Sequence, residues 1–348
     1  MKLAVIFGGK STEHNISVVS ATSIIKNLDK TKYEIHPIYI DNDGKFYKYK
    51  KNINKIDVLQ IDDEIIEIEL IDNIYNYLKD IDLVFPVLHG INGEDGTIQG
   101  MLEMMGKKYV GCKVLSSSLC MDKVYTKQLL RCCGIDQAKS MYLKKDNNKY
   151  IYIDDLFNRV VLNEKELLEN VERYLHFPVF IKPSNSGSSV GVNKSLNKDD
   201  FINYLEEAFK YDEKVLVEEA IIGREVECAI IGNDKPQASP IGEILSNEDF
   251  YSYDSKYNNP ESKTLIPNNL DDNIVKEIQD IALKAYFVCD CQGLSRIDFF
   301  IEKNTNRVIL NEINTMPGFT EISMYPKLMK ELGYSYTKLL DELIKLAN

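Results

Sequence analysis

Short apolar runs that end directly in glycine-rich loops are what most constrain the fold of this chain. Residues 3–7 (LAVIF) lead into Gly8-Gly9, and residues 82–88 (DLVFPVL) lead into His89-Gly90. Runs without polar alternation read as strands covered on both faces. Between them, residues 17–28 carry Val18, Val19, Ile24, Ile25 and Leu28 at helical spacing, and residues 33–40 read as a second strand. Strand, helix and strand in this order form a βαβ unit, so the first part of the chain is predicted to be an open parallel sheet. Residues 41–80, rich in Asp, Asn, Lys and Ile, read as one or two peripheral strands without chemistry.

Further on, the patterning predicts a helix over 116–133 and a strand over 177–183. Neighbouring strands are predicted at 215–219 and 225–231 around Ile222-Gly223, with a long amphipathic helix over 271–287. A strand pair at 297–301 and 307–313 follows, and a helix runs from 328 to the end. At 348 residues the chain is long enough for two or three packed domains. Its 42 Lys and Arg against 54 Asp and Glu leave a net charge of -12. That field argues against nucleic-acid and membrane-surface binding. No apolar stretch is long enough to span a membrane, and the N-terminal run lacks the form of a signal peptide. Seven cysteines without framework spacing predict reduced thiols in the cytosol, with Cys289-x-Cys291 read as a buried structural pair.

The loops after the strands carry the chemistry, as open α/β sheets require. Residues 8–14 (GGKSTEH) read either as a helix start, with Ser11 or Thr12 near the cap, or as a cradle in which Glu13 holds an ammonium. Residues 89–96 (HGINGEDG) read as a surface turn or as a backbone-exposed ligand loop. Residues 182–191 (KPSNSGSSVG) gather small hydroxyls, Ser188 and Ser189 among them, with glycine N–H groups suited to a phosphate, and Lys182 adds positive charge. The loop lacks the GK[ST] ending of a P-loop; a plain solvent loop is the other reading.

Arg296-Ile297-Asp298 and Asn311-Glu312-Ile313-Asn314 fall on adjacent strands. Alternation puts Arg296 and Asp298 on one face, and Glu312 and Asn314 on one face. If these faces coincide, Asp298, Glu312 and Asn314 form an all-oxygen set that selects Mg²⁺ or Mn²⁺ over zinc. A salt-bridged sheet face with Arg296 as counter-ion is the alternative. The Pro317-Gly318 turn can present the Gly318 N–H. Glu218, Glu219 and Glu225 either grip a nucleoside or are solvated charges, and residues 250–257 (FYSYDSKY) read as a lid.

In this order, GGKSTEHNIS, PVLHGINGEDGTIQG, MDK at 121–123, GSSVG, FYSYDSKY, SRIDFF and NEINTMPGFTEISMYP resemble the motifs of the D-alanine–D-alanine ligases of the ATP-grasp superfamily. The resemblance covers nearly the whole chain except 41–80 and 144–165. It implies an α/β (α+β) ATP-grasp fold of three domains: 1–112 with the open parallel sheet, 113–220, and 221–348 with a lid near 246–262. ATP is expected between the last two. The implied reaction phosphorylates the carboxylate of one D-alanine, and the amine of a second attacks the acyl phosphate.

The resemblance further implies that Glu13 binds the first ammonium, with His89 near that substrate. Lys123, Lys182, Ser188 and Ser189 would contact the ATP phosphates, and Glu218, Glu219, Ile221 and Glu225 would line the nucleoside pocket. Asp298, Glu312 and Asn314 would hold two Mg²⁺ or Mn²⁺. Arg296 and the Gly318 N–H would stabilise the oxyanion, and Ser188 and Tyr257 would join Glu13 in a lid network. Lys256, Ser323 and Met324 would meet the second substrate. A cytoplasmic homodimer serving peptidoglycan precursor synthesis is implied as well.

The vancomycin-resistance ligases are similar too, and the VGC…LCMDK stretch is close to those making D-Ala-D-Ser. Tyr257 separates the chain from the D-lactate branch, and Met324 stands where the D-Ser branch carries an arginine. A neutral apolar side chain suits a methyl group, so D-alanyl-D-alanine is the expected product and D-alanyl-D-serine the alternative.

Overall fold

The computed structural model describes residues 1–348 except 54–58, 60–66, 148, 188, 246–262, 268 and 321. Its first part contains β1 (Lys2–Gly8), α1 (His14–Asn27), β2 (Glu34–Ile40), β3 (Phe46–Tyr49), β4 (Ile68–Leu70), α2 (Ile74–Leu78), β5 (Leu83–Val87), α3 (Thr97–Met104) and β6 (Lys108–Tyr109). These strands form one sheet in the order β4-β3-β2-β1-β5-β6. Its centre is parallel, as expected of an open parallel sheet, and the peripheral strands β3 and β4 join it antiparallel. Only a tight turn, closed by Asp41 N on Lys45 O, separates β2 from β3. A parallel return would need a crossover of a dozen residues or more. Helix α1 begins at His14, three residues earlier than the apolar spacing suggested, with Glu13 as its N-cap residue.

Next come α4 (Val114–Met121) and α5 (Lys123–Cys132), where the sequence suggested one helix. Asp122 breaks the run: its backbone is extended and its carboxylate accepts from Val124 N at 3.1 Å, capping α5. A second sheet follows, built from β7 (Ser140–Asp146), β8 (Lys149–Ile153), β9 (Arg159–Leu162), β10 (Val179–Pro183), β11 (Asn193–Ser195) and β12 (Lys214–Glu219), with α6 (Glu164–Tyr174) and α7 (Lys198–Ala208). The strands are antiparallel in the order β11-β10-β12-β7-β8-β9. The two helices drive Leu167, Val171, Phe201 and Leu205 into its core.

The third sheet runs β15-β14-β13-β16-β17, from β13 (Gly223–Ile231), β14 (Gln237–Leu245), β15 (Lys263–Leu265), β16 (Leu294–Glu302) and β17 (Val308–Asn314). Here a second expectation fails: β12 and β13 lie in different sheets. Nine residues of β13 pair with β16, and Gly223 enters so closely that a Cβ there would lie 2.0 Å from Ile301 O. Helix α8 (Asp272–Val288) covers this sheet with Ile278, Ala282, Ala285 and Tyr286.

The C-terminal segment, predicted as one helix, forms α9 (Met324–Glu331) and α10 (Tyr336–Leu346), parted at Gly333 with φ +101°. Leu328, Leu339, Leu340 and Leu343 share one apolar core with Leu3, Val5, Phe7 and Phe85 of the first sheet. All seven cysteines are free thiols, and Cys289 and Cys291 are buried. No helix among the described residues is long and apolar enough to cross a membrane.

Candidate active site

A cavity of about 690 Å³ opens between the loops that follow the strands. Its described lining includes Glu13 and His89 from the first sheet, Lys123 from the head of α5, and Glu225, Arg296, Asp298, Glu312 and Asn314 from the third. Glu13 follows β1 and is 6% exposed. Two loops from different sheets close on its carboxylate, since a Cβ at Gly90 or at Gly187 would each lie 2.4 Å from Oε2. Only glycine allows backbone to approach so near, and Gly90 also sits at φ +71°.

His89 is buried and reaches out at both ring nitrogens. Nδ1 donates to Met316 O at 3.0 Å, and Nε2 lies 3.0 Å from Ser20 Oγ. Burial holds its pKa below the usual value, so the ring is neutral. Glu94 takes the other side of the same residue, accepting from Met316 N at 3.2 Å and from Gly90 N at 2.7 Å. Burial and the neighbouring Glu13 push its carboxyl up to about 8. Met316 is thus clasped through both its N–H and its C=O, which fixes the turn leading to Gly318.

Across the third sheet, Glu227, Asp298 and Glu312 occupy one cross-strand row, in register on β13, β16 and β17. Arg296 grips Asp298 through two bonds of 2.7 Å and reaches Glu227 at 3.2 Å. Burial opposes its charge, but Asp298 and Glu227 outweigh that and hold its pKa well above the usual value. Asn314 donates to Asp298 Oδ2 at 3.0 Å, and Lys123 stands 3.8 Å from Glu312. Asp298, Glu312 and Asn314 therefore do share one face. Among the described residues no cluster of three His, Cys, Asp or Glu is arranged as a metal site. The set is two carboxylates and an amide, an oxygen complement that fits a hard divalent cation bound mainly through phosphate and water.

Beside the cavity, Glu218 lies between two lysines, 2.7 Å from Lys127 and 2.5 Å from Lys182. Burial alone would raise its pKa; Lys127 and Lys182 reverse the sign and bring it down to about 2. A carboxylate so depressed stabilises the fold above its unfolded value near 4.5, and that contribution is lost as pH falls toward 2. Glu218→Gln strands two buried ammonium groups and is expected to cost about 3–5 kcal/mol at neutral pH. Denaturant unfolding at pH 7 and at acid pH checks this, since the difference between wild type and variant must shrink as pH falls through that window.

Two family models account for most of the chain: "D-ala D-ala ligase N-terminus" over residues 2–112 and "D-ala D-ala ligase C-terminus" over residues 148–345. The D-alanine–D-alanine ligase B of Clostridium tetani is 48% identical, spanning 100% of this chain and 93% of its own. The chain belongs to the D-alanine–D-alanine ligase family. The D-alanine–D-alanine ligase of Caldicellulosiruptor bescii is 46% identical over 100% of this chain and 95% of its own. Among solved structures, the VanG D-Ala:D-Ser ligase from Enterococcus faecalis superposes with TM-score 0.81 at 37% identity, covering 100% of this chain and 99% of that one. The Bacillus anthracis D-alanine–D-alanine ligase complexed with ATP gives 0.75 at 30% identity, with coverage of 100% and 97%. The fold is ATP-grasp, as in those ligases.

Within this ligase-family fold, the remaining expected site residues fall into three groups. Gly318, Ser323 and Met324 line the same cavity. Lys182, Glu218, Glu219, Ile221 and Ser189 lie off its described lining, on the second sheet and the connection to the third. Glu219 accepts from Lys139 N at 2.8 Å, and Ile221 is half-buried. Ser188, Lys256, Tyr257 and the lid at 246–262 lie outside the described residues.

The structure also brings forward residues that the motifs did not single out. Glu227 had a visible signal, since it follows Glu225 by two in an otherwise apolar strand and so points the same way. Lys127 follows Lys123 by one helical turn. Glu94 stood inside a glycine-rich loop that gave no hint of its burial.

Proposed function

We propose that this family member joins two D-alanines into D-alanyl-D-alanine with ATP as phosphoryl donor, supplying a peptidoglycan precursor. The observation that carries this reading is the single cavity in which Glu13, Lys123, Arg296, Asp298 and Glu312 meet. Glu13, buried and close to two glycine backbones, suits the ammonium of the first D-alanine and thereby aims its carboxylate at Lys123. Lys123 is held by Ser186 O at 2.8 Å, and with Lys182 it offsets phosphate charge, which phosphoryl transfer needs more than covalent groups. The nucleoside is assigned to Glu218, Glu219, Ile221 and Glu225, with ATP between the second and third sheets.

Asp298, Glu312 and Asn314 would hold Mg²⁺ or Mn²⁺, whose chemistry when bound is to neutralise charge on the transferring phosphoryl group. Arg296 and the Gly318 N–H are assigned to the oxyanion formed when the second amine attacks the acyl phosphate. Neutral His89 supports this by holding Met316, two residues before Gly318. A lid over 246–262, with Tyr257 and Ser188, would exclude the water that hydrolyses an acyl phosphate. Domain limits near 112 and 220, a homodimer and a cytoplasmic setting belong to the same reading.

D-Ala-D-Ser ligation is the second reading, favoured by the likeness to the VanG D-Ala:D-Ser ligase. Against it, Met324 presents an apolar side chain to the cavity, packed on Gly242 so closely that a Cβ there would meet its Sδ at 2.4 Å. A methyl against a hydroxymethyl is worth only about 1–3 kcal/mol. Phosphate release with ATP, Mg²⁺ and D-alanine, with D-serine or D-lactate added in turn and products weighed by mass spectrometry, decides. Dipeptide from D-alanine alone, little changed by D-serine, is expected. Mainly D-Ala-D-Ser favours the second reading, and no D-alanine-dependent turnover overturns both.

A further inference from the structure

The stretch 226–231 (VECAII) of β13 is apolar except at Glu227, which is only 4% exposed yet borders the cavity. A buried carboxylate is costly unless it is paired, so its surroundings must account for it. On one side the residue opposite is Gly242 of β14, which brings no side chain to it. On the other stands Asp298 of β16. Arg296 Nε lies 3.2 Å from Glu227 Oε1. Arg296, however, has no need of a second carboxylate to offset its charge, because Asp298 already grips it from Nε and Nη2 at 2.7 Å each.

Asp298 is the more heavily used of the two acids. Asn314 adds a third bond, at Oδ2, to the two from Arg296. A carboxylate has about four acceptor sites, so these bonds take up most of what Asp298 offers. A divalent cation at Asp298 would compete with Arg296 for the same oxygens and repel its charge. The row Glu227, Asp298 and Glu312 meets two cations, Arg296 and Lys123, and so carries one carboxylate more than they offset. Among the described residues the three acids are not drawn together as a metal site, and the contact that Glu227 makes is with the arginine. We infer that Glu227 is a positioning residue: it shares Arg296 with Asp298, so that Asp298 can serve a divalent cation without setting the guanidinium adrift in the cavity. The inference rests on the assignment of Asp298 to the cation and adds the group that lets one carboxylate serve both.

Mn²⁺ binding to the full chain at saturating ADP, followed by the electron-spin signal of the free ion, tests this without turnover. Glu227→Gln removes the charge at nearly constant shape. It is expected to weaken Mn²⁺ binding about ten- to a hundredfold, the range for a lost hydrogen bond to a charged group. In an Arg296→Met chain, which ADP supports by mass action, the same substitution should change Mn²⁺ affinity by no more than about twofold, since no guanidinium then competes for Asp298. A loss of about tenfold or more in both backgrounds would make Glu227 a metal ligand and overturn the inference. Unchanged Mn²⁺ affinity in Glu227→Gln would mean that the residue only supports the sheet, and overturns it as well. Glu227→Asp covers the case in which Glu227→Gln does not fold. It draws the charge one methylene back from Arg296 and should give a smaller loss of the same sign, whereas wild-type affinity there counts against the inference. Wild-type Mn²⁺ affinity in Glu312→Gln would instead defeat the metal reading on which the inference rests.

Discussion

Arg296→Met is expected to lower kcat by about 10²- to 10³-fold, the usual effect of removing one preorganised donor from a developing oxyanion. The loss should fall on kcat more than on the KM for ATP, because the role proposed for the guanidinium is to act on charge that arises during acyl transfer. The same substitution leaves Asp298 and Glu227 facing each other on adjacent strands without their shared counter-ion. A stability loss of about 3–5 kcal/mol is expected alongside, so activity must be measured where the variant is still folded. Arg296→Lys separates the two effects: it restores a charge between the carboxylates but cannot reproduce the two-bond grip on Asp298. Near-normal kcat in folded Arg296→Lys and Arg296→Met alike would remove Arg296 from the acyl-transfer step.

Glu312→Gln is expected to abolish turnover, by about a thousandfold or more, since charge neutralisation at a transferring phosphoryl group is worth several kcal/mol. Glu312 is the carboxylate of the row that Arg296 does not grip, and it lies in register with Asp298 across β16 and β17. On the proposed metal role, its removal should weaken divalent-cation binding without unseating the arginine. Titrating Mg²⁺ or Mn²⁺ against ATP binding checks this independently of turnover, because the variant should need far more metal to bind nucleotide. Full activity at ordinary Mg²⁺ would defeat the assignment of Glu312 to the metal.

Much of the site was legible because its residues sit where apolar strands stop. A glycine-rich loop after residues 82–88, and charged residues interrupting the runs DFFI and VILNEIN, have few explanations in a buried sheet. Alternation was enough to put Asp298, Glu312 and Asn314 on one face, and Asn314 does bond Asp298. What alternation could not supply was partnership across strands distant in sequence. Glu227 meets Arg296 only because β13 pairs with β16, and β13 had been expected beside β12. The break at Asp122 was missed for a related reason. An Asp inside a periodic run is read as a solvated helical residue unless something else binds it, and here Ser184 Oγ donates to it at 2.7 Å while Lys214 pairs with it. Both partners come from the second sheet, some sixty and ninety residues away.

The apolar core shared by β1, β5, α9 and α10 has a consequence for biosynthesis. The first sheet is translated well before the helices that cover its inner face. Until Leu339, Leu340 and Leu343 arrive, that face must remain open to water or to a chaperone. Truncation at the Gly333 turn should therefore yield a protein that aggregates through its N-terminal third, far in sequence from the cut.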